Sequence, residues 1–195
     1  MHLLGLTGSI GMGKSTTAGM FRAAGVPVFD SDAAVHSLYQ AEAVPLIADA
    51  FPGTVINGAV DRARLSKVVL GDQAEMKRLE AIVHPLVRQR ERAFRAECQL
   101  SGYRRIVLDI PLLFETGGAD RMSLIVVVSA SEIVQKARVL ARPGMTEGKL
   151  AAILAKQMPD SEKRRRAHVV VDTGSGFEVT RHAVEDLIRA LASTG

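Results

Sequence analysis

The residues of this chain that carry the most chemistry lie in one run, GSIGMGKS, from Gly8 to Ser15. Glycines at Gly8 and Gly13 let the backbone turn tightly and aim N–H groups at phosphate oxygens. Lys14 can then reach the β and γ phosphates, and the Ser15 hydroxyl can ligate Mg²⁺. The run follows a short apolar strand, Leu3 to Thr7, and precedes a helix-compatible stretch, Ser15 to Ala24, whose dipole would turn its positive end to the anion. Strand, loop and helix in that order distinguish the run from a mere Gly-rich turn and predict a nucleoside-triphosphate site. Met12 stands at a loop position that is often small, and it is read as tolerated because its side chain can point to solvent.

A phosphoryl transfer needs more than a cradle: a carboxylate to orient or deprotonate the attacking hydroxyl, and cations to neutralise charge as the group moves. Asp30-Ser31-Asp32 supplies two carboxylates where the second strand ends, at the carboxyl edge of a sheet, the edge where open α/β sheets bind ligands. Asp32 is favoured as the base, with Asp30 holding the loop or a Mg²⁺-bound water. The competing reading is that one of the pair simply caps the next helix. Asp109, after Ile106-Val107-Leu108, is the alternative catalytic carboxylate, and it could equally ligate a metal-bound water or anchor the turn at Pro111. Arg138 and Arg142, four apart on a helix expected to begin near Ser131, would project from one face. The same spacing suits surface pairing, for instance with Glu132.

The elements that must position these residues are legible in the hydrophobic pattern. Strand-length apolar runs at Leu3 to Thr7, Val26 to Phe29, Ile106 to Asp109, Leu124 to Val128 and Val169 to Val171 alternate with segments of helical period, the pattern of a parallel sheet wrapped by helices. Helical stretches from Asp32 towards Ala50, from Asp61 to Leu70 and from Gln73 to Leu100 form an insertion that could carry a second substrate. Pro85 is expected to break the last of them, with a fresh helix starting there. The closing helix, Phe177 to Ala192, places Val184, Leu187, Ile188 and Leu191 on one face. The fold expected is an α/β, P-loop NTPase-type three-layer fold with a five-stranded parallel sheet. It forms one domain over residues 1–195, with a helical insertion at about 32–100 and a small lid at about 142–167.

At 195 residues the chain suits one well-buried core with a small appended element. Its single cysteine, Cys98, fits a reducing compartment. The first basic residue is Lys14 and no apolar run approaches spanning length, so a cytoplasmic protein without a membrane partner is expected. The net charge is +4. Its excess gathers between Ser131 and Arg166, where nine Lys and Arg stand against four Asp and Glu. A field confined to one segment suits a lid over a polyphosphate better than a groove for nucleic acid, although a solvated helical face explains Lys163 to Arg166 equally well. With two Tyr, six Phe and no Trp, none interleaved with that run, stacking platforms for nucleic acid are not evident. A guanine-reading switch is also disfavoured, because Asn57 is the sole asparagine and no Asp-x-x-Gly occurs.

Taken together, GLTGSIGMGKST at Gly5 to Thr16, FDSDAAVH at Phe29 to His36, His84-Pro85, LDIPLLFE at Leu108 to Glu115, Arg138 with Arg142, Gln157, and AHVVVDTGSG at Ala167 to Gly176 resemble the dephospho-CoA kinase family. The resemblance implies a P-loop core, a helical CoA-substrate region and a lid. It implies ATP-dependent phosphorylation of the ribose 3′-hydroxyl of dephospho-CoA, with a nucleoside monophosphate kinase as the related alternative and an ATP-dependent nucleic-acid binder as one of another class. By position it assigns Gly8, Gly11, Met12, Gly13, Lys14, Ser15 and Thr16 to the ATP phosphates, Ser15 to Mg²⁺ and Asp32 to the base. Pro111, Leu112, Leu113 and Glu115, with Asp109, fall to the acceptor side, and Arg142 with the helix around Gln157 to the lid. His84 is carried over as a structural cap. The chain departs from the family pattern at Met12, His168 and Thr173, so no adenine contact is assigned near Thr173. Oligomeric state is not fixed by the sequence.

Overall fold

The computed structural model describes residues 1–192. In chain order, β1 (His2–Thr7) leads through the Gly-rich loop into α1 (Lys14–Ala23), followed by β2 (Val28–Asp30), α2 (Ser31–Leu38) and α3 (Ala43–Ala50). A hairpin of β3 (Val55–Ile56) and β4 (Ala59–Val60) then precedes α4 (Arg62–Val69) and the long α5 (Gln73–Leu100). The chain continues with β5 (Arg105–Asp109), β6 (Leu124–Ser129), α6 (Glu132–Leu140), α7 (Glu147–Leu154), α8 (Asp160–Arg166), β7 (Val169–Asp172) and α9 (Phe177–Ala192). Two compact units result, Met1–Val28 with Ser101–Gly195, and Phe29–Leu100.

Among the described residues the large sheet has five strands in the order β2-β5-β1-β6-β7. β1 pairs in parallel with β5 on one side and with β6 on the other, Leu6 standing opposite Asp109 and Val126. Strand order therefore reverses at β1, and the Gly8–Ser15 loop leaves from its carboxyl end, the switch point where such sheets take ligands. The strands are apolar on both faces because helices cover both. Leu4, Leu6, Phe21, Val107, Val126 and Val184 form one core with almost no exposure. Burying each such side chain contributes about 1.5–3 kcal/mol. The face expected of the closing helix is the one that packs, with Leu187, Ile188 and Leu191 against this core. At the sheet's edge, His168 Nδ1 accepts from the Ile125 N–H at 3.1 Å while the Ile125 carbonyl accepts from the His168 N–H at 3.0 Å, an exchange that joins β6 to the start of β7.

The second unit has its own core of Leu38, Ile47, Phe51, Leu65, Leu79 and Val83. Three sequence expectations change here. The stretch from Asp32 to Ala50 is two helices, because Pro45 has no N–H to donate to the preceding turn, and it sits instead in the first turn of α3, where none is required. Arg90 pins the corner between them, donating to Ser37 Oγ at 2.9 Å and to Glu42 at 2.6 Å. Pro85 does not break α5, which runs unbroken through it, so His84 caps nothing and lies exposed in mid-helix. Proline costs about 3 kcal/mol inside a helix. Leu79 and Val83 before it, with Leu86 and Val87 after it, hold both halves to the same core. Asp72 caps the start of α5, accepting from the N–H groups of Ala74 and Glu75. The small hairpin, which the helical reading passed over, turns on Asn57-Gly58 with φ of 51° and 76°, the left-handed pair that a two-residue hairpin loop requires.

Candidate functional site

The Gly-rich loop is shaped by two local demands. At Gly8 a Cβ would meet Val128 Cγ2 at 2.4 Å, so only glycine lets the chain pass over β6. Gly13 has φ 85° and precedes α1 with no side chain capping the first turn, which also carries no acidic residue. The opening N–H groups of α1 are thus left for an anion. Lys14 reaches from that turn to Asp109 at the end of β5, Nζ to Oδ1 2.5 Å, with Asp109 only 2% exposed. Ser15 and Thr16 are exposed beside it.

Side chains from distant parts of the same unit hold the loop's backbone. Gln157 Oε1 accepts from the Ile10 N–H at 3.1 Å, and Gln135 Nε2 donates to the Ile10 carbonyl at 2.7 Å. Thr173, 5% exposed, sends its one hydroxyl proton to the Met12 carbonyl at 2.9 Å and accepts from Arg138 at 3.0 Å. Arg138 also donates to the Thr173 carbonyl at 2.6 Å. This arginine braces the loop through Thr173, and a phosphate would have to compete with those bonds. Arg142 stands apart from it, since α6 ends at Leu140 and the two arginines do not share a helical face. Its exposed guanidinium has no partner among the described residues. Met12, expected in solvent, is 2% exposed and packs in the core, its Sδ accepting from the Ala130 N–H at 3.1 Å. A compact loop leaves the long side chain nowhere apolar to go but inward. A cavity of about 400 Å³ opens on the Thr16 side of the loop, lined by Gly13, Thr16, Arg138, Arg142, Thr173 and Phe177.

The segment after β5 divides. Pro111 accepts through its carbonyl from Thr7 Oγ1 at 3.0 Å. Leu112 is exposed, whereas Leu113 is fully buried beside Gly5 and Met122 rather than lining a site. Glu115 Oε1 accepts from the Met158 N–H at 2.8 Å and lies 2.9 Å from Lys163 Nζ. Burial pushes the Glu115 carboxyl up, but the Met158 N–H and the Lys163 ammonium outweigh it and hold it below the usual glutamate range. The basic run is therefore not one face: Lys163 is wholly buried, and Arg165 and Arg166 pair with Glu162 at 2.5 and 2.6 Å.

In the second unit the competition between Asp30 and Asp32 resolves. The strand ends at Asp30, whose carboxylate caps α2 by accepting from the Ala33 N–H at 2.9 Å. Asp32 is left exposed in the helix's first turn and lines a cavity of about 440 Å³ within this unit. Val35, Leu65, Val69 and Leu79 give that cavity an apolar wall, and Arg62 is its one guanidinium. Gln135, Thr173, Arg62 and Lys163 carried no assigned role in the motif reading. Gln135, Thr173 and Lys163 meet residues far away in sequence, Arg62 only lines the cavity of the second unit, and for Lys163 the surrounding charges masked its burial.

Comparison with known proteins accords with this geometry. A family model described as dephospho-CoA kinase matches residues 2–178. The chain is similar to the dephospho-CoA kinase of Mesorhizobium japonicum, 62% identical over 98% of this chain and 97% of that one. A solved structure from Thermus thermophilus superposes with a TM-score of 0.82 at 34% identity, covering 97% of each chain. The dephospho-CoA kinase from Campylobacter jejuni shares the fold, with a TM-score of 0.67 at 18% identity over 97% of this chain and 96% of that one.

Proposed function

The chain belongs to the dephospho-CoA kinase family, and on that premise we propose that it transfers the γ-phosphoryl group of ATP to the ribose 3′-hydroxyl of dephospho-CoA, giving coenzyme A and ADP as the last step of coenzyme A synthesis. The observation that carries the reading furthest is the uncapped first turn of α1, with Lys14 already facing the buried carboxylate at the end of β5.

In this reading the N–H groups of Gly11 to Thr16 and the Lys14 ammonium bind the phosphates, Lys14 exchanging Asp109 for phosphate oxygen as the nucleotide enters. The adenosine occupies the cavity lined by Arg142 and Phe177. Ser15 Oγ and the Asp109 carboxylate would hold Mg²⁺. Both donors are oxygens, which suits a hard ion whose shell is completed by phosphate oxygens and water. When bound, that ion neutralises charge on the β and γ phosphates. Asp32 takes the proton as the acceptor oxygen bonds to phosphorus and the bond to ADP breaks. Arg142 neutralises the moving group, and the lid excludes water that would otherwise receive it. The apolar wall of the second cavity suits the pantetheine arm, and Arg62 the diphosphate beside it. The protein works in the cytoplasm on this reading. Among the described residues no helix is long and apolar enough to cross a membrane.

Incubation with Mg·ATP and dephospho-CoA tests the proposal. Coenzyme A and ADP are expected in equal amounts. No coenzyme A, with turnover of a nucleoside monophosphate instead, would overturn it.

A further inference from the structure

Lys163 is a lysine with no exposed surface, and its ammonium lies 2.9 Å from Glu115 Oε1, an ion pair that helps hold the Glu115 carboxyl below its usual range. An ion pair whose lysine is wholly buried while the glutamate side chain keeps 18% exposure is weak evidence for stability, since desolvating the ammonium offsets much of the attraction, and such pairs are best understood where they fix one arrangement over another. The contacts around this pair show what it fixes. The Glu115 oxygen it faces also accepts from the Met158 N–H. The neighbouring residue, Gln157, accepts through its side chain from the Ile10 N–H in the phosphate loop, and Gln135 holds the other side of the same residue. Lys163 and Glu115 therefore sit at one end of a continuous path, at most one peptide bond between contacts, that ends on the backbone of the loop. Gln135 and Met158 also line a cavity of about 650 Å³ with Ser9, space into which the 157–158 peptide could shift if it were released.

We infer that Lys163 is a positioning residue for phosphoryl transfer: its charge fixes Glu115, which fixes the 157–158 peptide, so that Gln157 presents the phosphate loop in its binding shape. Lys163 itself touches no reacting atom. The inference rests on the loop being the donor site, but its first readout does not depend on activity.

The experiment compares Lys163→Met, Glu115→Gln and the double variant with the wild-type protein. Amide hydrogen exchange at Met158 and Ile10 is read alongside kcat and KM for both substrates. Lys163→Met is expected to raise exchange at both amides and to lower kcat about tenfold, a modest share of the 10²-fold that a 1 Å misplacement can cost. The KM for dephospho-CoA should change less than twofold. Because both residues act through one contact, the double variant should lose no more than the worse single variant, whereas independent losses would multiply. Unchanged exchange at Ile10, or losses that multiply, would overturn the inference. If Lys163→Met fails to fold, Glu115→Gln alone decides, since it keeps an oxygen for Met158 but lacks the charge that Lys163 faces: normal exchange at Ile10 with normal kcat would overturn the inference. A wild-type protein inactive on dephospho-CoA would refute the proposed function and leave the exchange result standing.

Discussion

On the proposed reading the two units would recognise their ligands by different means. In the unit that carries the phosphate loop, the groups offered are backbone N–H groups, and Gln135, Gln157 and Thr173 serve to hold that backbone still. In the unit of residues 29–100, the cavity is walled by side chains of α2, α4 and α5, and the backbone behind them is ordinary helix. A phosphate has a fixed shape and charge, so main-chain dipoles suffice if their geometry is exact to a few tenths of an ångström. An acceptor that combines a sugar, a diphosphate and a long arm has no such uniformity, and on the proposed reading it would be matched by side-chain chemistry. The donor side should therefore respond steeply to small changes, and the acceptor side gradually except at Asp32, whose proposed role is chemical rather than binding.

The strongest way to break this contrast is Lys14→Met. Turnover is expected to fall about 10²- to 10³-fold, the loss typical of one pre-organised charge-stabilising group. Steady-state rates within tenfold of wild type would show that the loop works without that charge. Next comes Asp32→Asn, which should lower kcat by at least about 10²-fold while ATP affinity, measured by titration, stays unchanged. Near-normal turnover would move the proton-accepting role to Asp109. Arg62→Ala sharpens the contrast from the acceptor side: the KM for dephospho-CoA should rise about tenfold, equivalent to one charge-assisted hydrogen bond, with kcat and the KM for ATP unaltered. A fall in kcat instead would mean that this cavity contributes to the transition state. The smallest effect concerns pH. Glu115 has its folded-state pKa lowered, so the stability it contributes is complete above the ordinary glutamate value of about 4.3 and is lost as pH falls through the lowered folded value. The gap in melting temperature between wild type and Glu115→Gln should close over that window, and a gap that widened on acidification would reverse the sign argued for this carboxylate.

Most of the scaffold was legible because it is written locally. The apolar runs at Leu3 to Thr7 and Leu124 to Val128 are buried strands, Asp61 caps α4, and the face of α9 carrying Val184 packs as its period requires. What escaped depends on partners that no local pattern contains. Pro85 is tolerated because Val83 and Leu86 share a core, and no propensity encodes that balance. Met12 turns inward because Ala130 and the β6 face are there to receive it. Arg138 and Arg142 share a spacing, but a helix end at Leu140 gives one to Thr173 and leaves the other to solvent. The Asn57-Gly58 turn could have been found, since that dipeptide is a strong hairpin signal, but the two-residue strands around it are too short to show alternation.

Cys98 gives the second unit a property of practical use. It is the chain's one thiol, 5% exposed, two residues from the end of α5, and burial together with the neighbouring Glu97 raises its pKa. A thiol reagent reacts with the thiolate and must reach it, so modification waits for that end of the helix to open. The chain thus carries an internal clock for the carboxyl end of α5. The rate at which a chromogenic disulfide is consumed, with and without dephospho-CoA, counts how often that helix end opens and whether the substrate slows it, with no label introduced.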